Sequence, residues 1–223
     1  RAVEGKSEGE RQEKKRIEGF RDRIRLKNVS FSYNGAENAI KDISLDFEKG
    51  KSYAVVGGTG SGKTTLLELV LARHLNYVGE ITIDGEDIKN ISLDSLYNQI
   101  SEINQEVFLF NGSIYDNITM HAAFDDEKFN RALKLSGLEK LIKEKGRDYP
   151  CGSGGANLSG GEKQRISIAR CLIRETPVIL MDEATAALDA KTAYDLTKSV
   201  LELEGVTKIV VTHKIDRAIM EGF

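Results

Sequence analysis

The chain has 223 residues, of which 30% are charged and 40% hydrophobic, enough for one globular unit with a sizeable core. A formal net charge of −3 gives no electrostatic case for nucleic-acid binding. Cys151 and Cys171 are too few and too far apart for a disulfide framework or a metal motif; a reducing compartment is the default, and neither a signal peptide nor an apolar run of the ~18 residues a membrane span needs is visible.

Residues 1–20 are rich in Lys, Arg, Glu and Gly and poor in apolar positions, so alone they cannot bury enough to hold a structure. They read as a solvated linker, and the start at Arg1 rather than Met reads as a piece of a longer polypeptide. From Ile24 the pattern changes. Ile24, Leu26 and Val29 alternate with polar residues as in a strand, Phe31 and Tyr33 follow, and Asn34-Gly35 marks a turn. Residues 40–47 alternate again, with Ile43, Leu45 and Phe47 on one face. An antiparallel β portion is therefore expected first.

Tyr53, Ala54, Val55 and Val56 form an apolar run that predicts a buried strand. Gly57-Gly58-Thr59-Gly60-Ser61-Gly62-Lys63-Thr64 then fits G-x-x-x-x-G-K-[ST], the phosphate-binding loop, and a helix is expected from Thr65. The residue types follow from the chemistry. Glycines let the backbone curl round a polyphosphate and aim its N–H groups at the oxygens, and the helix turns its positive end the same way. Lys63 can reach the β- and γ-phosphates, and the Thr64 hydroxyl can ligate Mg²⁺.

A short strand is expected over 79–85, a helical turn over 92–97 with Leu93 and Leu96 on one face, and a strand over 100–103 leading to Gln105. Residues 113–145 recur in apolar character every three to four positions, with Gly137 and Gly146 as stops, and read as an inserted helical region. The Gly-rich stretch 151–157 runs into Leu158-Ser159-Gly160-Gly161-Glu162 and an amphipathic helix ended by Pro177. Val178-Ile179-Leu180-Met181 reads as a central parallel strand ending at Asp182-Glu183. A helix over 193–204, a strand over 208–212 ending at His213 and a helix over 215–220 complete the pattern. The fold class is α/β: a phosphate-loop core with an N-terminal antiparallel β subdomain and an inserted α-helical subdomain. The phosphate loop, Asp182-Glu183 and His213 each follow a strand, so all three can converge on one sheet edge.

Asp182 at a strand end can hold Mg²⁺, and Glu183 can polarise an attacking water. Through these residues the chain from about Leu26 onward resembles the nucleotide-binding domain of an ABC transporter of the exporter type. Leu158-Ser159-Gly160-Gly161-Glu162 is similar to that family's signature, and Ala187-Leu188-Asp189 accompanies it. The resemblance implies a boundary near residue 23, a linker over 1–23 from an upstream membrane domain, an ATPase domain over 24–223 and a helical subdomain at about 106–172.

It further implies ATP as substrate with Mg²⁺. Tyr33 would stack on adenine, and Gly57, Gly58, Thr59, Gly60, Ser61, Gly62, Lys63, Thr64 and Thr65 would hold the phosphates. Thr64, Gln105 and Asp182 would serve the metal. Glu183 would be the general base, aided by Gln105, Lys63 and His213. Ser159, Gly160 and Gly161 would close on the ATP of a second ATPase domain paired head to tail, with Asp189 at that interface. The partners implied are that second domain and a transmembrane domain of the same polypeptide, at the cytoplasmic face of the cell membrane. His74 and His121 match no motif and read as surface or packing residues. Two departures stand out: Ala186 where the family usually has Ser, and Ser153 where exporters usually have Glu. The family also continues with strands beyond the position of Phe223, which reads as truncation. The competing readings are a soluble ABC protein acting on nucleic acid or ribosomes, which would usually carry two cassettes, and a non-catalytic module, which the intact Lys63, Gln105, Asp182, Glu183 and His213 argue against.

Overall fold

The computed structural model describes residues 14–185 and 188–212. Along the chain run β1 (Arg23–Phe31), β2 (Ile40–Glu48), β3 (Ser52–Val56), α1 (Lys63–Val70), β4 (Val78–Ile83), β5 (Glu86–Asp87), α2 (Leu93–Tyr97), β6 (Ile100–Ile103), α3 (Ile114–Thr119), α4 (Asp126–Leu135), α5 (Glu139–Lys145), α6 (Gly160–Leu172), β7 (Val178–Asp182), α7 (Ala190–Leu201) and β8 (Thr207–Thr212). They form two four-stranded sheets, one ordered β2-β1-β4-β5 and antiparallel, the other ordered β3-β8-β7-β6 and parallel. The mixed α/β architecture expected from the sequence is the one observed.

Two apolar cores flank the parallel sheet. Alternation along its strands sends Leu180, Ile209 and Val211 to one core, shared with α1 and the antiparallel sheet. Ile179, Met181 and Val210 face the other, shared with α3, α4, α6 and α7. Every residue of β7 is buried, as a strand covered on both faces should be.

The helices start where short polar side chains can cap them. Ser92, Ser113, Asp125, Ser159 and Asp189 each accept a bond from a first-turn amide, and Ser113 and Ser159 complete capping boxes with Asp116 and Glu162.

Several expectations shift. β3 is half-buried rather than buried, with Val56 exposed, because it is an edge of the described parallel sheet. Leu45 and Leu93 are exposed, although Phe47 and Leu96 beside them are buried. α1 starts at Lys63 and not Thr65, and α7 runs three residues earlier than expected because Asp189 caps it. The helix expected over 215–220 lies outside the described residues.

The end of the charged leader is fastened to the domain. Phe20 is 3% exposed and belongs to the first core. The Asp84 carboxylate accepts the main-chain N–H groups of Arg21, Asp22 and Arg23 at 2.8, 2.8 and 3.1 Å. Lys15 forms a parallel bridge with Ile91, and the Ser95 hydroxyl accepts from Ile17 N and donates to Ile17 O.

Candidate functional site

Residues 57–62 leave the end of β3 and become α1. Gly62 turns at φ +87°, and a Cβ there would lie 2.4 Å from the Ala39 carbonyl oxygen, so only glycine fits this bend. No side chain caps α1, in contrast to α2, α3, α4, α6 and α7, and no acidic residue sits in its first turn, in contrast to α2, α3, α4 and α6. Its leading amides therefore keep their positive end for an anion. Lys63 is 7% exposed, and its Nζ donates to the carbonyls of Gly57 and Gly58 at 3.0 and 2.8 Å. The ammonium is thus held inside the curl of the loop, while Thr59, Gly60, Ser61 and Thr64 face solvent.

Strand register places the carboxylates. Val55 pairs with Val211, and Val211 pairs with Asp182. Asp182 therefore lies two strand spacings, roughly 10 Å, from the root of the phosphate loop. It is 8% exposed, and its Oδ1 has no hydrogen-bond partner among the described residues. A buried carboxylate oxygen left open in this way is costly unless a cation or donor meets it. Together with the exposed Thr64 hydroxyl it fits a hard cation bound beside a polyphosphate, the coordination Mg²⁺ takes. No cluster of three or more His, Cys, Asp or Glu among the described residues could hold a metal by itself.

Glu183 follows with φ +45°, a left-handed turn unusual for a residue with a Cβ, and its N–H bonds Val211 O at 3.3 Å. Ile103 pairs with Met181, so Gln105 emerges just beyond β6 on the same carboxyl edge and is exposed. His213 would follow β8 there but lies outside the described residues, as do Ala186 and Ala187.

Tyr33 is 58% exposed and joins this edge through its hydroxyl, 2.9 Å from Thr65 Oγ1 and 2.8 Å from Glu68 Oε2. Burial of the hydroxyl raises the phenol pKa above its ordinary value; the Thr65 bond works against this and Glu68 adds to it, so the phenol stays protonated and donates.

Ser159, Gly160 and Gly161 form a separate helix start. Ser159 bonds within its own helix: Glu162 N–H to its Oγ at 3.3 Å, its own N–H to Glu162 Oε2 at 2.7 Å. A Cβ at Gly160 would meet nothing within 4 Å, so the start of this helix is open on that side. Burial pushes the Glu162 pKa up, but its bonds to Ser159 and the charge of Lys145 outweigh that and hold it below the usual range.

Sequence reasoning missed Gln164. It is buried on α6, and its amide donates to the Asn104 carbonyl at 3.2 Å, one residue before Gln105. Arg170, also on α6, donates to Phe108 O farther along that segment at 3.0 Å and to Asn117 O on α3 at 2.7 Å. Only the long separation of these partners along the chain hid them.

A glycine loop entering an uncapped helix, with carboxylates at the ends of parallel strands beside it, defines a phosphate-loop nucleotide-binding domain. The ABC transporter family profile matches residues 40–186. The chain belongs to that family and corresponds to its ATP-binding, ATPase domain. It is 40% identical over 205 residues to the uncharacterized ABC transporter ATP-binding protein YwjA of Bacillus subtilis (strain 168), covering 90% of this chain and 36% of that protein. It is 40% identical over 200 residues to the ATP-dependent lipid A-core flippase of Desulfotalea psychrophila (strain LSv54 / DSM 12343), covering 88% of this chain and 35% of that one. Among solved structures, a bacterial Atm1-family ABC exporter with ATP bound superposes with a TM-score of 0.83 at 31% identity, covering 90% of this chain and 36% of the exporter. The chain thus spans about a third of the length of the curated relatives it matches.

Proposed function

We propose that this domain hydrolyses Mg²⁺-ATP and thereby powers export by a longer polypeptide that carries a transmembrane part, working at the cytoplasmic face of the membrane. The observation that carries the reading is the convergence on one sheet edge of an uncapped glycine-loop helix, the buried Lys63 and the open oxygen of Asp182. The flippase and exporter names of the relatives support the transport half of the proposal. Among the described residues no helix is long and apolar enough to cross a membrane, so the membrane part is assigned to other segments.

The chain's own residues divide the work. Residues 57–62 and the leading amides of α1 take the phosphate oxygens, and Lys63 exchanges its two loop carbonyls for the β- and γ-phosphates. Thr64 and Asp182 hold Mg²⁺, which neutralises charge on the phosphates when bound; Gln105 orients groups around it. Glu183 accepts a proton from the water whose oxygen bonds to the γ-phosphorus as the β–γ bridging oxygen leaves with ADP. His213 supports that base and contacts the γ-phosphate. Ser159, Gly160 and Gly161 of a second copy close the site from outside, and Asp189 reports across the interface. Hydrolysis removes the γ-phosphate contacts and reopens the pair.

The test is the Glu183→Gln variant. ATP turnover should fall by about 10²- to 10⁴-fold, the range of a lost general base. Sedimentation of the variant with Mg²⁺-ATP should show a dimer. Unchanged turnover removes Glu183 from its role, and a monomer at high protein concentration removes the closed pair.

A further inference from the structure

Glu68 and His74 belong to no motif, yet both converge on the ring proposed to bind the base. Glu68 Oε2 accepts the Tyr33 phenol at 2.8 Å and lies 3.2 Å from His74 Nε2. A carboxylate can only accept, so both groups donate to it, and the Thr65 hydroxyl at 2.9 Å donates in turn to the phenol oxygen. The rings are fixed as well. Phe31 and His74 stack at 4.8 Å and 27°, and Tyr33 stands nearly perpendicular to both, at 4.9 Å and 79° from Phe31 and 5.3 Å and 88° from His74. Edge-to-face contacts of this kind orient a ring as well as bury it.

The geometry points to Glu68 and His74 as positioning residues that hold Tyr33 in place for a nucleotide base, so that base affinity depends on two side chains that never touch the nucleotide. This deepens the reading of Tyr33 as the stacking residue and rests on it. Tyr33 follows β1 and is largely exposed, so without anchors its ring would be ordered only when ligand arrived, at a cost to affinity. Here the hydroxyl is bonded, the ring packs against Phe31 and His74, and most of the residue still stays exposed for a base. Thr65 and Glu68 lie one turn apart on α1, the helix that starts at Lys63. One rigid element therefore sets the spacing between phosphate loop and base platform. Stacking is tolerant of base identity, so the bracket serves nucleotides in general and selects them over bare polyphosphate.

The experiment titrates the 223-residue chain with ADP and, separately, with inorganic pyrophosphate, which lacks the base. Tyr33→Ala is the reference and should weaken ADP by about 5- to 100-fold with pyrophosphate unchanged. Glu68→Leu and His74→Ala should each weaken ADP by about two- to tenfold, again with pyrophosphate unchanged. Glu68→Gln keeps an acceptor oxygen and should recover most of the loss. Tyr33→Phe, which keeps the ring and loses the bond, should match Glu68→Leu without requiring any change on α1. If Tyr33→Ala weakens ADP while Glu68→Leu, His74→Ala and Tyr33→Phe all bind normally, the bracket is overturned and the stacking role survives. If Glu68→Leu weakens ADP and pyrophosphate alike, Glu68 acts on the phosphate loop and the proposal falls. If Tyr33→Ala changes nothing, the stacking role itself fails and the inference goes with it.

Discussion

The side-chain amide of Gln164 on α6 reaches the main-chain carbonyl of Asn104, tying the segment that presents Gln105 to the helical half of the molecule. Gln164→Leu keeps the volume and removes the donor. It should cost about 1 kcal/mol of stability, the net worth of one such bond. ATP turnover should fall several-fold while nucleotide affinity stays within twofold, because the phosphate loop is untouched. Steady-state kinetics beside equilibrium titration separates the two, and equal losses in both would contradict the coupling.

Asp182 makes an opposite prediction for stability and function. Asp182→Asn removes a buried charge whose Oδ1 lacks a partner, so the free domain should melt at the same temperature or higher. The Mg²⁺-dependent stabilisation by ATP should vanish; in the parent chain it should approach 2.7 kcal/mol at about 100 times Kd. Thermal melts with ATP, with and without Mg²⁺, read this directly.

Gly62→Ala should abolish nucleotide binding while leaving the secondary structure in place. The added methyl would lie 2.4 Å from Ala39 O and 2.9 Å from Ile40 Cδ1, at a φ of +87°. The strain falls on the phosphate loop, where ordering costs on the order of 1–3 kcal/mol per such residue. Titration with ADP is the readout, and far-ultraviolet circular dichroism should remain that of the parent.

The two capping boxes make acid lability predictable. The Asp116 pKa is held low by bonds from the Ser113 hydroxyl and amide, and that of Glu162 by bonds to Ser159 and by Lys145, against the effect of burial. A carboxylate depressed in the folded state stabilises it above the unfolded pKa, and that contribution is lost as pH falls through the folded value. Stability should therefore be flat at neutral pH and decline below the usual carboxylate range. The Asp116→Asn, Glu162→Gln double variant should be less stable at pH 7 and show a shallower acid decline. Urea melts between pH 7 and pH 3 provide the measurement.

How much was legible depended on whether the cause was local. The phosphate loop, the apolar run Val178–Met181 of β7 and the helix start at Ser159 are written in consecutive residues, and each appears where the pattern puts it. β3 read as buried because its composition is apolar; its edge position in the described sheet depends on strand order, which no short window contains. His74 read as a surface or packing residue; that it packs against Phe31 and Tyr33 depends on the segments after β1 and α1 meeting across some forty residues. Gln164 was hidden the same way, since its partner lies 60 positions earlier.

The Asp84 carboxylate gathers three consecutive main-chain amides, and Phe20 sits in the core just before them. A recombinant fragment cut at Ile24, where strand alternation begins, would strip both away, leaving an empty slot against the antiparallel sheet and an acidic side chain with its donors gone. The useful cloning boundary for this domain is therefore set by a turn sixty residues downstream, not by the first strand.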